Sequence, residues 1–175
     1  YPEMMVHIPL CSHKKPQDVL VMSNDASIFS AELARYKNIT VTVVAPTIDA
    51  ARDLADAAYD IVLLESSTDA ALLAHINRAL KVDGMLAMQH PNLDEIEANK
   101  TLMHVLGKYF KIIMPYNAAE STLLLASKEY HPTADIILHR TDLLEGQQFY
   151  NCDIHPAVFA MPNYIRKTYL GIIRN

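Results

Sequence analysis

Two acidic residues near the middle of the chain are spaced in a way that suits chemistry on an amine. Glu65 directly follows the apolar run YDIVLL, and Asp69 comes four residues later. If the run is a buried strand, the Glu65 carboxylate lies at the mouth of a sheet, beside a helix N-terminus that stabilises an anion. The pair could bind an amine, with one carboxylate accepting its proton. Capping of the helix explains Asp69 equally well.

Polar residues also end other apolar runs. Asn24 and Asp25 lie in the stretch VLVMSNDASIF, whose loop has no glycine. Both residue types are common in turns and helix caps, so a ligand role and a turn role are equally weighted there. Gln89 ends the run MLAMQ and could contact a ligand or the loop backbone, and Tyr116 stands at another strand end near the same place.

Other kinds of site and partner are disfavoured. The eight histidines form no HxH, HxxxH or HExxH spacing, so we expect no metal site, and the GxSxG of a nucleophile elbow is absent. A net charge of −5 argues against a nucleic-acid partner. No apolar run has the length of a membrane span and no signal peptide is evident, so we expect no membrane partner. Cys11 and Cys152 match no redox spacing and indicate reduced thiols in a cytoplasmic protein.

The candidate residues are positioned by alternating strands and helices. Apolar and β-branched runs predict strands at 19–23, 39–45, 59–65, 85–89, 110–116 and 121–127. Helical patterns are expected at 26–36, about 49–57, from a cap at Ser66 or Ser67 to Leu80, 91–109 and 156–170, with a turn at 82–84.

This order predicts an α/β fold with a mostly parallel sheet and helices on both faces. The last two strands are joined by a short connection and should form an antiparallel hairpin. That is the arrangement of Rossmann-like, S-adenosylmethionine-dependent methyltransferase-type folds. Ligands of such sheets bind beyond the carboxyl ends of the strands, where the candidate residues stand.

Four segments resemble the spermidine synthases, a family of polyamine aminopropyltransferases, and they occur in the family's order over nearly the whole chain. The opening YPEMMVHIPLCSHKKPQDVLV resembles the family's Y-x-E-M junction, and FYNCDIHPAVFAMPNYIRK resembles its closing motif. Between them, YDIVLLESSTD resembles the catalytic YDVIxxDSSDP segment and LKVDGMLAMQ the strand that carries a glutamine.

The resemblance implies transfer of the aminopropyl group of decarboxylated S-adenosylmethionine to putrescine, giving spermidine and methylthioadenosine. Decarboxylated S-adenosylmethionine is then a co-substrate, with no permanently bound cofactor and no metal. Residues 1–175 are expected to form one catalytic domain, with 1–17 as the junction from a small N-terminal β domain that is missing. Family members pair as homodimers.

The resemblance also assigns roles to individual residues. Glu65 takes the place of the aspartate that deprotonates the attacking amine, and Asp69 lies one residue beyond the family's second acidic position, Thr68. The substrate is expected to contact Asp69, Tyr1, Glu3, Gln89 and Tyr116, and the co-substrate to contact Ser23, Asn24, Asp25 and Ser66.

The chain departs from the family where the co-substrate would bind. The glycine-rich first loop has become SNDAS, the acid after the second strand is replaced within Ala45-Pro46-Thr47, and about one strand of the sheet is missing. We therefore expect a divergent spermidine synthase, with two alternatives: a catalytically inactive homologue that binds or regulates, and a small-molecule methyltransferase, which the fold alone supports.

Overall fold

A six-stranded sheet forms the centre of the protein in the computed structural model, which describes residues 1–66 and 69–175. The strands are β1 (Asp18–Met22), β2 (Thr40–Val44), β3 (Tyr59–Leu64), β4 (Leu80–Gln89), β5 (Ile112–Ala118) and β6 (Ser121–Ser127). Their order across the sheet is β2-β1-β3-β4-β6-β5. The first four of these are parallel neighbours, whereas β6 runs antiparallel to both β4 and β5. This confirms the predicted parallel sheet with a terminal hairpin.

Helices cover both faces of the sheet. They are α1 (Pro2–Leu10), α2 (Ser30–Leu33), α3 (Ile48–Arg52), α4 (Ala70–Ala79), α5 (Ile96–Leu106), α6 (Leu138–Asp142), α7 (Ile154–Ala157) and α8 (Asn163–Thr168). One core packs α1 and α2 against the sheet, and the other packs α4 and α5 against the opposite face. No helix in the described part of the chain combines the length and the apolar composition of a membrane span.

Apolar residues on both faces of the central strands explain why they form the middle of the sheet. In β3 every residue after Tyr59 is buried, and in β1 every residue after Asp18 is buried. Strands covered by helices on both sides have this continuous apolar character. β2 is different, because Val41 and Val43 remain 39% and 55% exposed at the edge of the sheet. The sheet therefore ends at β2, as expected for a sheet about one strand short.

The predicted turn at 82–84 is wrong, because β4 runs through these residues without a break. The register between β3 and β4 shifts between Tyr59 and Ile61, so an irregularity takes the place of a turn. Gly84 permits this close packing, since a Cβ there would lie 2.8 Å from the Leu80 Cδ2 atom. An Asp-Gly pair signals a turn in sequence, but glycine also marks irregular strands.

Several helices are shorter than the sequence pattern predicted. The predicted helix 26–36 is a 3₁₀ turn at Ala26–Phe29 followed by the single turn of α2, and the predicted helix 49–57 ends at Arg52. The long helix expected near the C-terminus is split into α7 and α8, with Pro162 before the latter. The helix expected from residue 91 begins only at Ile96, after a turn in which the Asn92 side chain accepts from the Asp94 amide.

The opening motif forms α1, a helix that the sequence pattern did not predict. Pro2 occupies its first turn, where a missing backbone N–H costs nothing. Every residue from Met4 to Leu10 is buried, so this helix has no polar face. Its sequence therefore lacks the alternation of apolar and polar residues by which a helix is recognised. Its burial beneath the sheet fixes Tyr1 at the rim of the carboxyl edge.

Candidate functional site

The carboxyl ends of three parallel strands bring the predicted residues together. Met22 of β1 pairs with Leu64 of β3, and Leu64 pairs with Met88 of β4. The next residues along these strands are Ser23, Glu65 and Gln89. The sheet register alone therefore places these three at one edge, as the sequence predicted.

Glu65 is the centre of a hydrogen-bonded group at this edge. The Tyr1 hydroxyl donates to Glu65 Oε2 at 2.9 Å, and the Ser23 hydroxyl donates to Glu65 Oε1 at 2.8 Å. Burial, and then the bond to Glu65 and its negative charge, raise the pKa of the Tyr1 hydroxyl well above its usual value. Tyr1 therefore keeps its proton and acts as a donor, and two hydroxyls from separate elements fix the orientation of the half-buried carboxylate.

The first loop is organised by its own side chains. The Ser23 hydroxyl accepts from the Asp25 amide at 2.9 Å, and the Asp25 carboxylate accepts from both the amide and the hydroxyl of Ser27. Asp25 is thus the cap of the 3₁₀ turn, which is the turn role that the sequence left open. Asn24 and Asp25 are both exposed, and Asp25 contacts the group around Glu65 through its backbone amide, which donates to the Ser23 hydroxyl.

Asp69 is the N-cap of α4, because its carboxylate accepts from the Leu72 amide at 2.8 Å. The cap predicted at Ser66 or Ser67 is therefore replaced by Asp69. Ser67 and the family's acidic position at Thr68 lie outside the described residues.

A cavity of about 960 Å³ opens beside this group, between α4, α5 and the hairpin of β5 and β6. Four predicted residues line it: Tyr1, Ser66, Asp69 and Gln89. Glu65 is hydrogen-bonded to one of these lining residues, so its carboxylate lies behind the Tyr1 hydroxyl. The wall also carries three titratable residues to which the sequence assigned no role: His90, Glu97 and Glu120. Glu97 and Glu120 come from elements adjacent to the sheet edge only in three dimensions, so no sequence spacing could reveal them.

Two predicted substrate residues have structural positions instead. Glu3 accepts hydrogen bonds from the backbone amides of Gln148, Phe149 and Tyr150 at 2.7–2.8 Å. Burial opposes ionisation of Glu3, but these three amides outweigh it and lower the pKa of its carboxyl. Its charge is thus used to hold the closing motif against α1.

Tyr116 is the second correction. It is 0% exposed and donates its hydroxyl proton to the Met4 carbonyl at 3.1 Å, so the structure places it in the core rather than in the crevice. Although Tyr116 lies near the end of β5, alternation along this strand directs its side chain beneath the sheet, against Phe159.

His90 is buried and lines the cavity, with neither ring nitrogen in a hydrogen bond to a described residue. Burial lowers the pKa of its imidazole to about 4, although the nearby Asn99 side chain opposes the shift. The ring is therefore neutral at pH 7. Its place directly after β4 was evident from the sequence, but a histidine at a strand end has no distinctive pattern.

Potential metal ligands lie within reach of one another at the opposite edge of the sheet. His13 Nε2 lies 3.6 Å from an Asp83 oxygen and 4.0 Å from an Asp60 oxygen. The Lys15 amide donates to His13 Nδ1 at 3.1 Å, which leaves the imidazole proton on Nε2, pointing at the carboxylates. A metal would need the Nε2 lone pair, so this group suits an N–H donor rather than a metal ligand.

Comparison with known proteins agrees with the resemblance in the sequence. No family model matches the chain. It is 30% identical over 116 residues to the polyamine aminopropyltransferase of Helicobacter acinonychis (strain Sheeba), which covers 62% of this chain and 44% of that protein. It is 24% identical over 222 residues to the polyamine aminopropyltransferase of Clostridium beijerinckii, which covers 98% of this chain and 78% of that protein. The chain is therefore similar in sequence to polyamine aminopropyltransferases over most of its length.

Solved structures of the family share the fold. A spermidine synthase crystallised with the transition-state analogue AdoDATO has a TM-score of 0.81 at 20% identity, covering 99% of this chain and 75% of that one. The chain spans less than half the length of the Helicobacter relatives that it matches. The alignment with the Clostridium relative is 222 positions long, whereas this chain has 175 residues, so that relative has segments without a counterpart in this chain.

Proposed function

We propose that the protein transfers the aminopropyl group of decarboxylated S-adenosylmethionine to putrescine, giving spermidine and methylthioadenosine. The observation that carries the proposal is the Glu65 carboxylate, oriented by the hydroxyls of Tyr1 and Ser23 at the carboxyl edge of the sheet. An acidic cavity beside this group suits a small dication. Proteins similar to this chain are named polyamine aminopropyltransferase or spermidine synthase, which supports the proposal.

The reaction requires a neutral amine beside an activated carbon. A sulfonium already activates the carbon next to it, so the protein mainly has to hold the two reactants in line. Free alkylamines are protonated near neutral pH, and a carboxylate that accepts the proton makes the nitrogen lone pair available. A new N–C bond forms as the C–S bond breaks, the electron pair of that bond passes to sulfur, and the amine proton goes to Glu65.

Each remaining residue has a role in this proposal. Tyr1 keeps its proton and holds the Glu65 carboxylate, while Gln89 and Asp69 face the acceptor from the cavity wall. Ser23, Asn24, Asp25 and Ser66 would border the co-substrate. For Asp25 this requires its carboxylate to exchange the Ser27 hydroxyl for a ligand hydroxyl, a change between similar hydrogen bonds.

A non-catalytic homologue that only binds polyamines is the second candidate. The capping role of Asp25 supports it, because that carboxylate is engaged within its own loop. The residues after β2, Ala45-Pro46-Thr47, also provide no acid for ribose hydroxyls, and the Thr47 hydroxyl accepts from the Ala50 amide as the cap of α3.

Product analysis with two donors separates the candidates. The chain is incubated with putrescine and decarboxylated S-adenosylmethionine, and methylthioadenosine is measured; a parallel reaction contains intact S-adenosylmethionine. The proposal expects methylthioadenosine and spermidine in equal amounts from the first reaction alone. Binding of putrescine without any product would favour the non-catalytic homologue, and a methylated amine in the second reaction would indicate a methyltransferase. If the chain forms no product and binds neither ligand, the enzyme proposal is overturned.

We further propose a cytoplasmic homodimer, following the family resemblance. Both cysteines are free thiols, Cys11 buried and Cys152 partly exposed, which suits a reducing compartment. Sedimentation analysis of the chain at micromolar concentration would show twice the monomer mass if the proposal is right, and the monomer mass alone would contradict the dimer.

A further inference from the structure

Strand β2 is the outermost strand on one side of the sheet, and in the described part of the chain it pairs only with β1. The Thr40 amide donates to the Gln17 carbonyl, and the Val44 carbonyl accepts from the Ser23 amide. In a parallel pair, every second residue of a strand directs its N–H and C=O groups to the neighbour. The even-numbered residues of β2 therefore bond to β1, and the odd-numbered residues face away from the sheet.

Val41 and Val43 are the outward-facing residues of β2. No hydrogen bond from another described residue reaches their backbone groups. Their side chains are 39% and 55% exposed, on the same face as Ile39, where α2 is only a single helical turn. A row of unpaired N–H and C=O groups beside apolar side chains is a template for another strand.

The devices that commonly protect an edge strand are missing from β2. Residues 38–48 contain no charged side chain. The strand pairs with β1 residue by residue along its whole length, without a bulge, and Pro46 follows the strand instead of interrupting it. Charges, bulges and prolines are the usual means by which an edge avoids pairing with another chain. This edge is therefore open to a further strand.

A second copy of β2 fits this edge in the antiparallel direction. If Thr42 of the two copies meet at a two-fold axis, Val41 of each copy lies opposite Val43 of the other. Both valines direct N–H and C=O outward, so each of the two valine pairs exchanges two hydrogen bonds. The exposed valine side chains then pack together on one face of the joined sheet.

The charges that flank β2 favour the same direction. Lys37 precedes the uncharged stretch and Asp49 follows it in the first turn of α3, and both are exposed. Antiparallel pairing brings Lys37 of each copy to the end where Asp49 of the other copy stands, whereas parallel pairing would bring like charges together. Asp49 also pairs with Arg52 in its own helix, but an ion pair between exposed groups contributes little and leaves the carboxylate available.

We propose that β2 is the contact surface for a second copy of this chain, paired antiparallel about Thr42, so that the two six-stranded sheets join into one continuous sheet. This rests on the homodimer proposed above and adds the surface through which it forms. The cavity beside the Glu65 group lies between α4, α5 and the hairpin of β5 and β6, away from β2, so the pairing leaves it open.

Sedimentation equilibrium of charged variants tests the surface. The parent chain and the variants V41K and V43E are measured between about 1 and 200 μM, because the dimer population depends on protomer concentration. Each variant places an unpaired charge between the strands and should raise the dimer dissociation constant at least about tenfold. Val82→Lys, at an 88% exposed valine of β4, is the matched control and should change the constant less than about twofold.

An equimolar mixture of the V41K and V43E chains tests the register. In the proposed pairing the introduced lysine of one chain lies opposite the introduced glutamate of the other, and the remaining two valines keep their contact. The mixture should therefore dimerise within about threefold of the parent, a recovery that misfolded chains could not give. A mixture of V41K with V41E places the two charges diagonally and should recover less.

The outcomes separate the surface from the other proposals. A parent chain that stays monomeric at every concentration would overturn both the surface and the homodimer. Dimers of V41K and of V43E as tight as those of the parent would overturn the surface alone, because another face would then join the copies. Equal recovery in the two mixtures would overturn the register about Thr42. Absence of turnover in an intact dimer would overturn the proposed aminopropyl transfer and leave the surface standing.

Discussion

The two edges of the sheet carry the same kinds of side chain in opposite circumstances. At the amino edge, Asp60 accepts from the backbone amides of Gln17 and Asp18 and from the Lys81 ammonium. Asp83 there accepts from the Tyr130 hydroxyl, and His13 points between the two carboxylates. At the carboxyl edge, Glu65 accepts from the hydroxyls of Tyr1 and Ser23, and the acids beyond it face a cavity.

The difference shows how to separate structural charges from functional ones. Burial alone would raise the pKa of Asp60, but the amides of Asp18 and Gln17, together with Lys81, outweigh it and lower that pKa. A carboxylate that satisfies backbone amides and a lysine stabilises the fold. A carboxylate held by side-chain hydroxyls beside an open cavity can exchange a partner for a ligand. Changes at the two edges should therefore affect different properties, and the expected losses of stability fall in the following order.

Asp60→Ala should have the largest effect on stability. It leaves two backbone amides and the Lys81 ammonium without their acceptor, and breaking such a partly buried pair costs about 4 kcal/mol. Urea unfolding would measure this loss, with Asp53→Ala, an exposed residue, as a control within about 0.5 kcal/mol of the parent. A loss for Asp60→Ala as small as that of the control would remove the contrast between the edges.

His90 should make the protein sensitive to acid. Its pKa is about 4 in the folded state and about 6.5 in the unfolded chain, so the unfolded state takes up the proton first. Stability is fully present above pH 6.5 and falls as the pH drops towards 4, by about 3 kcal/mol from this group.

Unfolding curves at several pH values between 7 and 4 would measure the effect of this histidine. His90→Gln should reduce the slope of the unfolding free energy against pH, whereas His104→Gln, at an exposed position on α5, should not. An unchanged slope in His90→Gln would show that His90 is not a buried neutral group in the cavity wall.

Asp69 should show a smaller effect with two separable parts. Asp69→Ala removes the cap of α4 and should cost about 1 kcal/mol, while Asp69→Ser retains a capping oxygen and most of the stability. Both variants lose the charge, so both should bind putrescine equally weakly in calorimetry. Full putrescine affinity in Asp69→Ser would mean that Asp69 serves the helix alone.

The sequence predicted the sheet better than the surroundings of the site. A wholly apolar strand such as YDIVLL is stable only in the buried centre of a sheet. The order and register of the strands then bring Glu65, Ser23 and Gln89 together. The burial of Tyr116 and the backbone contacts of Glu3 depend on how α1 and the closing motif pack, which no local pattern records. Glu97 and Glu120 were missed for the same reason, because separate elements bring them to the cavity.

The motif resemblance was most informative for Tyr1, which both the opening motif and the packing of α1 place at the site. Tyr1 was predicted from the opening motif, and its hydroxyl does reach Glu65 across 64 positions of sequence. Asp25 illustrates the limit, since the same loop position can serve a turn or a ligand and only the hydrogen bond to the Ser27 amide distinguishes the two.

Glu65→Gln tests the central claim most directly, because it separates the two edges in one protein. Glutamine can still accept from one of the two hydroxyls, so the unfolding free energy should change by less than about 1 kcal/mol. Methylthioadenosine formation from putrescine and decarboxylated S-adenosylmethionine should fall at least about 100-fold, since the variant has no base for the amine proton. Turnover equal to that of the parent protein would contradict the assignment of Glu65, and with it the functional role of this edge.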